Sequence, residues 1–281
     1  MFASIDSLRD PAVLIAFGGW NDAGDAATNV LTHLANNYPS AEVGVLDSEE
    51  FFDFQVSRPM VSLTLEGREI TWPAITATVV DVGERDLLLL QGPEPNLRWR
   101  TLIGVLTELL NSIAPTVVVL IGAMLSDSPH TRPLPVLGHS TSRELTEKLS
   151  LSTSTYEGPT GIIGVLADGF EQAGLPVMSL WASVPHYVSN PPNPKATLAL
   201  LGRLSDVLGV DLEAGELPVL STTWERSVNE LAEEDPDIAE YITSLEERQD
   251  TTTMPQASGD SIAAEFERYL RRQGKDDQPP Q

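Results

Sequence analysis

The sequence predicts an α/β protein, a three-layer α/β/α sandwich with a mostly parallel sheet of the phosphorylase/hydrolase-like type, followed by an α-helical appendage. Short apolar runs alternate with helical patterns over the first 200 residues, as in sheets that are covered by helices on both faces. From Pro194 onward only helical patterns follow. We therefore expect a core domain at 1–200, an acidic helical appendage at 201–273 and a disordered polar tail at 274–281.

The strands are predicted from short apolar runs that end at turn residues. Residues 12–17 form the first run and end at Gly18-Gly19, and the β-branched run 116–121 is expected at the centre of the sheet. The alternating segments 61–65 and 69–72 predict a hairpin with one face toward solvent. The remaining predicted strands are 42–47, 75–82, 86–90 and 177–184.

The helices are predicted from apolar residues that recur every three or four positions. Asp22 is the expected N-cap of the first helix, which Asn36-Asn37-Tyr38-Pro39 ends. Pro218 should delay or kink the start of the second helix of the appendage. The other predicted helices are 96–111, 142–149 and 161–173 in the core, and 194–208, 211–233, 236–248 and 258–273 beyond it.

The composition excludes several classes of function. The chain has no cysteine, which rules out disulfides and thiolate chemistry and fits a reducing cytoplasm. We see no signal-peptide pattern at the N-terminus, and the longest apolar run is too short to span a bilayer. The net charge of −24 disfavours binding to nucleic acid or anionic membranes. Residues 201–281 carry 19 acids and 7 bases, which is half of that net charge.

Three loops follow predicted strands and combine turn residues with aromatic, acidic or imidazole groups. They are Gly18–Gly24, Gly122–Pro133 and Trp181–Tyr187. Loops after parallel strands gather at one edge of a sheet, where ligands and partners are bound. We expect a protein interface there and in the Phe-rich segment 51–54, formed by Gly19, Trp20, Asn21, Asp22, Phe52, Phe54, Asp127, His130, Arg132, Trp181, His186 and Tyr187.

The same loops allow an enzymatic interpretation, which stays open. Asp22 and His130 could act as acid or base, Arg132 as an anion clamp and His186 as the residue that orients them. Alternatively, the two histidines simply bond to backbone and Asp22 caps a helix. No nucleotide fingerprint, zinc-ligand spacing or G-x-S-x-G motif is present, so we expect no metal and no cofactor. The Phe-rich segment is either an edge folded over the core or an apolar patch used in assembly.

Six segments together resemble the proteasome assembly chaperone family, specifically its actinobacterial members. They are Gly18–Gly24, Phe52–Gln55 with Arg58-Pro59, Gly92–Asn96, Gly122–Met124 with Pro129–Pro133, Tyr156–Gly161 and Val184–Val188. The resemblance implies the α/β/α fold. It also implies eukaryotic relatives that act without catalysis, as heterodimeric chaperones of proteasome α-rings. Some archaeal relatives dock through a hydrophobic-Tyr-any-residue tail, whereas this sequence ends in Gln278-Pro279-Pro280-Gln281.

Two hypotheses follow from the sequence. The first is a non-catalytic protein-binding factor that is cytoplasmic and homo-oligomeric, with the proteasome subunits that the resemblance implies as partners. The second is a small-molecule hydrolase or phosphorylase-like enzyme with its site at the strand-end loops.

Overall fold

The computed structural model describes residues 5, 7–46, 48–65, 67–140, 142–149, 151 and 156–253. Its strands are β1 (Ala12–Gly18), β2 (Ser40–Leu46), β3 (Met60–Thr64), β4 (Gly67–Thr71), β5 (Ile75–Asp81), β6 (Asp86–Pro93), β7 (Val117–Ser126), β8 (Val136–His139) and β9 (Val177–Pro185). Its helices are α1 (Ala26–Asn37), α2 (Ser48–Phe51), α3 (Trp99–Ile113), α4 (Arg143–Leu149), α5 (Ile162–Gln172), α6 (Pro194–Leu208), α7 (Leu217–Glu234) and α8 (Pro236–Thr253), with 3₁₀ turns at Ala23–Asp25 and His186–Val188.

A seven-stranded sheet forms the middle layer in the order β2-β5-β6-β1-β7-β9-β8. The four central strands lie in the order β6-β1-β7-β9 and all run parallel to one another. The outer strands are antiparallel, with β5 beside β6, β2 beside β5 and β8 beside β9. The predicted mostly parallel α/β sandwich is therefore confirmed.

Helices cover both faces of the sheet. Side chains alternate along the buried central strands, so each face presents apolar residues to a layer of helices. Leu14 and its neighbours on one face pack into a cluster with α1 and α6. Ile15 and Phe17 face the other way, into a cluster with α3 and α5. This two-sided burial holds the strand ends in fixed positions, on which the site depends.

The hairpin of β3 and β4 does not join the large sheet but forms a two-stranded sheet of its own. All of its strand residues are exposed. The sequence predicted one solvent-facing side, whereas in the structure residues on both faces of the two strands are exposed.

Two compact units divide the chain, one ending at Val228 and the other beginning at Asn229. The predicted boundary after residue 200 falls inside α6, whose buried side chains belong to the core cluster with α1. In α7, Pro218 occupies the second helical position, where a missing N–H leaves no hydrogen bond unmade. The second unit contains α8 with Ile242 and Leu245 buried. The predicted helix 258–273 and the tail 274–281 lie outside the described residues.

Candidate functional site

The loop after β1 is held by backbone hydrogen bonds to the two strands that flank β1. The Ala123 N–H of β7 donates to the Asn21 carbonyl at 2.8 Å, and the Glu94 N–H, just after β6, donates to the Gly18 carbonyl at 2.9 Å. Gly19 adopts φ of 102°, a conformation that favours glycine. The loop conformation is therefore fixed from both sides.

The Asn21 side chain ties this loop to the start of α5. Asn21 is buried, and its Nδ2 donates to Glu94 Oε1 at 2.7 Å. The same carboxylate oxygen accepts from the Ile162 N–H at 2.9 Å, at the N-terminus of α5. A carboxylate at this end of a helix is favoured by the helix dipole. Sequence reasoning did not assign a role to Glu94, although a Pro-Glu-Pro turn after a strand could have drawn attention to it.

Trp20 carries a large exposed side chain on this loop. Its neighbour Asn21 is buried, whereas 67% of Trp20 is accessible to solvent. A large, exposed aromatic side chain on a fixed backbone can insert into a partner at little cost in loop ordering.

Asp25, and not the predicted Asp22, occupies the N-cap position of α1, but the Asp22 side chain still bonds to the first turn of this helix from further back along the chain. Asp22 is buried, and its carboxylate accepts from the Ala27 N–H at 2.6 Å, the Thr28 N–H at 3.1 Å and the Thr28 hydroxyl. Burial raises the pKa of the Asp22 carboxyl, while the bonds from Thr28 and Ala27 act in the opposite direction. The carboxylate thus satisfies free N–H groups in the first turns of α1.

His130 is fully buried, and its hydrogen bonds join the loop after β7 to the residues after β9. Its backbone N–H donates to the Tyr187 hydroxyl oxygen at 2.7 Å, and its Nδ1 lies 2.8 Å from the same oxygen. The Tyr187 hydroxyl can therefore accept from the backbone and donate to the ring. The edge of the His130 ring also contacts the ring of Trp224, with centroids 6.3 Å apart.

The network continues to an ion pair between α6 and α7. Lys195 on α6 donates to the His130 carbonyl and also bonds to the Glu225 carboxylate on α7. Lys195 and Glu225 were not selected from the sequence, because a charged residue on a helix carries no sign of a distant partner. The pair links helix α6 and helix α7 to the strand-end loop.

His186 and Asp127 form a second, exposed pair at the same edge. The His186 Nδ1 lies 3.5 Å from Asp127 Oδ1 and 3.4 Å from the Ser126 carbonyl oxygen. Arg132 is partly buried, and its backbone N–H donates to the Pro129 carbonyl at 3.3 Å. The structure thus connects His130 and His186 through Tyr187, whose ring contacts both imidazoles edge-on.

Trp181 and the Phe-rich segment are partly or wholly used in packing. The Trp181 ring lies over Gly122, where a Cβ atom would come within 2.5 Å of it. Phe52 is buried in the core, and Phe54 is partly buried with its ring centroid 4.8 Å from that of Trp72. Of the two interpretations of this segment, its burial favours the edge folded over the core.

The described residues contain no cluster of three or more Asp, Glu or His side chains with the geometry to hold a metal ion. None of the described helices combines the length and the apolar character needed to cross a lipid bilayer.

The fold and the strand-end loops together define the class of protein: it is an α/β/α protein whose hydrogen-bonded strand-end loops carry an exposed tryptophan. The chain belongs to the PAC2 family, whose model matches residues 16–232. The predicted membership of the proteasome assembly chaperone family is thereby confirmed.

Solved structures agree with this assignment. The chain is similar to a PAC2 family protein from Streptomyces avermitilis, with 46% identity, a TM-score of 0.78 and coverage of 82% of this chain and 99% of that one. It is also similar to a Mycobacterium tuberculosis proteasome-assembly chaperone homologue, with 43% identity, a TM-score of 0.76 and the same coverage of 82% and 99%. The Pyrococcus furiosus proteasome activator PbaB shares the fold alone, at 15% identity and a TM-score of 0.65, with 82% and 97% covered. No curated protein showed significant sequence similarity.

Proposed function

We propose that the protein is a non-catalytic protein-binding factor that assists the assembly or regulation of a proteasome-like complex. Its 43% identity to a proteasome-assembly chaperone homologue over nearly all of that chain supports a role of this kind. The observation that carries the proposal is Trp20, which is 67% exposed on a loop whose neighbouring residues Gly19 and Asn21 are held by backbone hydrogen bonds.

The acid–base groups at the edge support binding over catalysis. The Asp22 carboxylate accepts three hydrogen bonds from the start of α1, and His130 is fully buried against Tyr187. Groups held in this way give rigidity to the loops around Trp20. Preorganisation of that kind lowers the entropic cost of binding a partner.

The partner that we propose is a proteasome subunit, contacted through the strand-end loops. We also propose that the protein self-associates and acts in the cytoplasm, where a chain without cysteine needs no oxidising environment. The acidic segment beyond residue 200 would then keep the complex soluble or attract a basic partner surface.

Binding of purified actinobacterial proteasome α-subunits and of assembled core particles, measured by biolayer interferometry, tests this proposal. Trp20→Ala should weaken binding by roughly 30-fold, the loss typical of an interface hot spot. Val105→Ala, a change at another exposed apolar residue on α3, is the matched control and should bind like the wild type. Wild-type protein that binds neither subunits nor core particles would contradict the proposal.

A second candidate function, a small-molecule hydrolase or phosphorylase-like enzyme, is favoured by the exposed pair of His186 and Asp127. A carboxylate 3.5 Å from an accessible imidazole could orient a general base. A screen with ester and nucleoside substrates tests it, with His186→Ala as the comparison. Turnover that disappears in this variant would support catalysis, and turnover that does not change would exclude this pair as its source.

A further inference from the structure

Glu94 lies beside Trp20, because it contacts the residues on both sides of that tryptophan. A Cβ atom placed on Gly19 would lie 3.8 Å from the Cβ of Glu94. On the other side, the Asn21 side chain donates from Nδ2 to Glu94 Oε1 at 2.7 Å. The backbone N–H of Glu94 also donates to the Gly18 carbonyl of the same loop. The Glu94 carboxylate is therefore held close to the exposed indole.

The two oxygens of the Glu94 carboxylate are used unequally. Oε1 accepts from both Asn21 and the Ile162 N–H, whereas Oε2 accepts no hydrogen bond from the described residues and no described lysine or arginine pairs with this carboxylate. Asn21 is 1% exposed, and its own Oδ1 has no hydrogen-bond partner among the described residues. Reversing the amide would place its oxygen against the Glu94 carboxylate, so the orientation that leaves Oδ1 unpaired is the one that positions Glu94. The loop thus fixes a carboxylate with one unused oxygen.

Asp25 provides a second carboxylate at the end of the same loop. It is exposed and occupies the N-cap position of α1, yet its side chain makes no capping hydrogen bond. Aspartate at this position usually caps the helix. Here the Asp22 carboxylate accepts from the Ala27 and Thr28 N–H groups instead. Because Asp22 takes over this task, the Asp25 carboxylate is left to interact with a partner.

The strand-end loops as a group are acidic. The segments 18–25, 92–96, 122–133, 156–161 and 184–188 contain five acidic residues and one arginine, namely Asp22, Asp25, Glu94, Asp127, Glu157 and Arg132. Of the five acids only the first is buried. The face of an indole also attracts cations, so the tryptophan and the carboxylates favour the same kind of group. This surface complements a positively charged partner and repels an acidic one.

An arginine side chain fits this surface better than a lysine does. The guanidinium group is planar, so it can lie flat on the indole while its edge donates to a carboxylate. The lysine ammonium is a compact point charge without such a plane. Trp20 lies on an open surface, where a single cation gains little binding energy by itself. The arginine must therefore belong to a protein whose other contacts hold it in place.

We propose that Trp20, Glu94 and Asp25 form a recognition site for an arginine side chain of the protein partner. The indole receives the plane of the guanidinium, Glu94 Oε2 accepts from its edge, and Asp25 adds a second negative charge. The inference rests on the proposed function, and it names the chemistry by which that interface selects its partner. It makes Glu94 the residue that determines specificity.

Titration of ¹⁵N-labelled protein with short peptides, followed by NMR of the tryptophan indole N–H signals, tests the site without the partner. The probes are acetylated and amidated Ala-Arg-Ala and the same peptide with lysine or uncharged citrulline in place of arginine. The Trp20 signal, assigned by its absence in Trp20→Leu, should shift with the arginine peptide with a dissociation constant on the order of millimolar. Lysine should bind more weakly and citrulline not at all. No shift with arginine, or an equal shift with citrulline, would overturn the site.

Three variants that each remove one negative charge identify the carboxylates involved. Glu94→Gln keeps an oxygen for the bonds that Oε1 accepts and should raise the dissociation constant of the arginine peptide by about tenfold. Asp25→Asn, at an exposed position without a capping bond, should raise it by about threefold. Glu108→Gln is the matched control, because α3 runs from the end of β6 back toward the opposite edge of the sheet. It should bind like the wild type.

Circular dichroism should show that all three variants are folded, and Asp25→Asn keeps the test valid if Glu94→Gln is destabilised. Wild-type affinity for the arginine peptide in both Glu94→Gln and Asp25→Asn would overturn the recognition site.

The interferometry assay with proteasome subunits separates this inference from the proposed function. Glu94→Gln should weaken that binding in the same direction as Trp20→Ala, and Glu108→Gln should not. If the arginine peptide binds but proteasome subunits do not, the proposed partner is overturned and the arginine site stands. If proteasome binding needs Trp20 but is unchanged in Glu94→Gln and Asp25→Asn, the arginine site is overturned and the proposed function stands.

Discussion

Replacing Gly161 by alanine should lower the free energy of unfolding, because the space beside this residue is filled by Asn21. A Cβ atom at Gly161 would lie 2.2 Å from Asn21 Oδ1 and 2.8 Å from its Cγ and Nδ2. The backbone of Gly161, with φ of −87° and ψ of −175°, is open to alanine. Any cost therefore comes from the lack of space and not from backbone strain.

The size of the effect follows from what Asn21 would lose by moving. Overpacking a well-filled site costs about 1–3 kcal/mol. Asn21 is buried and donates to the Glu94 carboxylate at 2.7 Å, and losing a hydrogen bond to a charged group costs about 1.5–3 kcal/mol. We expect a total loss of about 2.5–6 kcal/mol, a large share of the roughly 5–15 kcal/mol that stabilises a typical domain.

Guanidinium unfolding followed by tryptophan fluorescence measures this loss, with Gly104→Ala as the control. Gly104 is exposed within α3, and a Cβ atom there meets nothing within 4 Å. Alanine at this helical position should therefore stabilise the protein by about 0.5–1 kcal/mol. The same chemical change is thus expected to have opposite signs at the two glycines.

A double-mutant cycle then tests whether Asn21 is the cause. With Asn21→Ala in place the clash disappears, so Gly161→Ala should cost much less than it does in the wild type. The reasoning is refuted if Gly161→Ala costs under about 0.5 kcal/mol, or if its cost is the same with and without the Asn21 side chain.

Two further predictions concern the buried Asp22 carboxyl and the ion pair of Lys195 and Glu225. Burial raises the pKa of Asp22 above its ordinary value of 3.8, so the folded state holds this proton more tightly than the unfolded chain does. The free energy of unfolding should therefore fall as the pH rises through the interval above that value. Asp22→Asn should lack this decline, so its free energy of unfolding should rise relative to that of the wild type as the pH increases. Urea unfolding at a series of pH values measures both proteins. A difference in free energy that stays constant from about pH 3 to pH 7 would contradict the prediction. Lys195→Met removes the ammonium group that donates to the Glu225 carboxylate and the His130 carbonyl. The free energy of unfolding should fall by about 1–3 kcal/mol, which is less than for a fully buried pair because Glu225 is partly exposed. Thermal unfolding should show partial recovery in Lys195→Met/Glu225→Met, and an equal or larger loss in the double variant would count against the pair.

The sequence predicted the central layer well because its strands are buried on both faces. An apolar β-branched run such as 117–121 fits few other structures. Strand β8 was missed because Pro133 and Pro135 stand just before its four residues, and prolines usually argue against a strand. The strand nevertheless forms at the edge of the sheet, where one side needs no backbone partner. The four residues of α2 are too few to show a helical period.

The site could be located from the sequence, but its internal contacts could not. Turn glycines after strands indicated the loops, since parallel strands end together. The role of His130 depends on Lys195 and Tyr187, which lie far along the chain and carry no local sign of the contact. A pattern of residue types shows which groups are available. Only the fold shows which of them already have hydrogen-bond partners.

The hairpin of β3 and β4 is informative because the same sequence rule succeeds elsewhere in this chain. Period-two alternation in β5 does bury Ile75 and Ala77. In β3 the alternation is equally clear, yet Leu63 stays exposed. Strand β5 is hydrogen-bonded into the large sheet between β2 and β6, whereas β3 pairs with β4 alone. Alternation in a sequence therefore predicts a strand, but whether its apolar face is buried depends on the sheet that the strand joins.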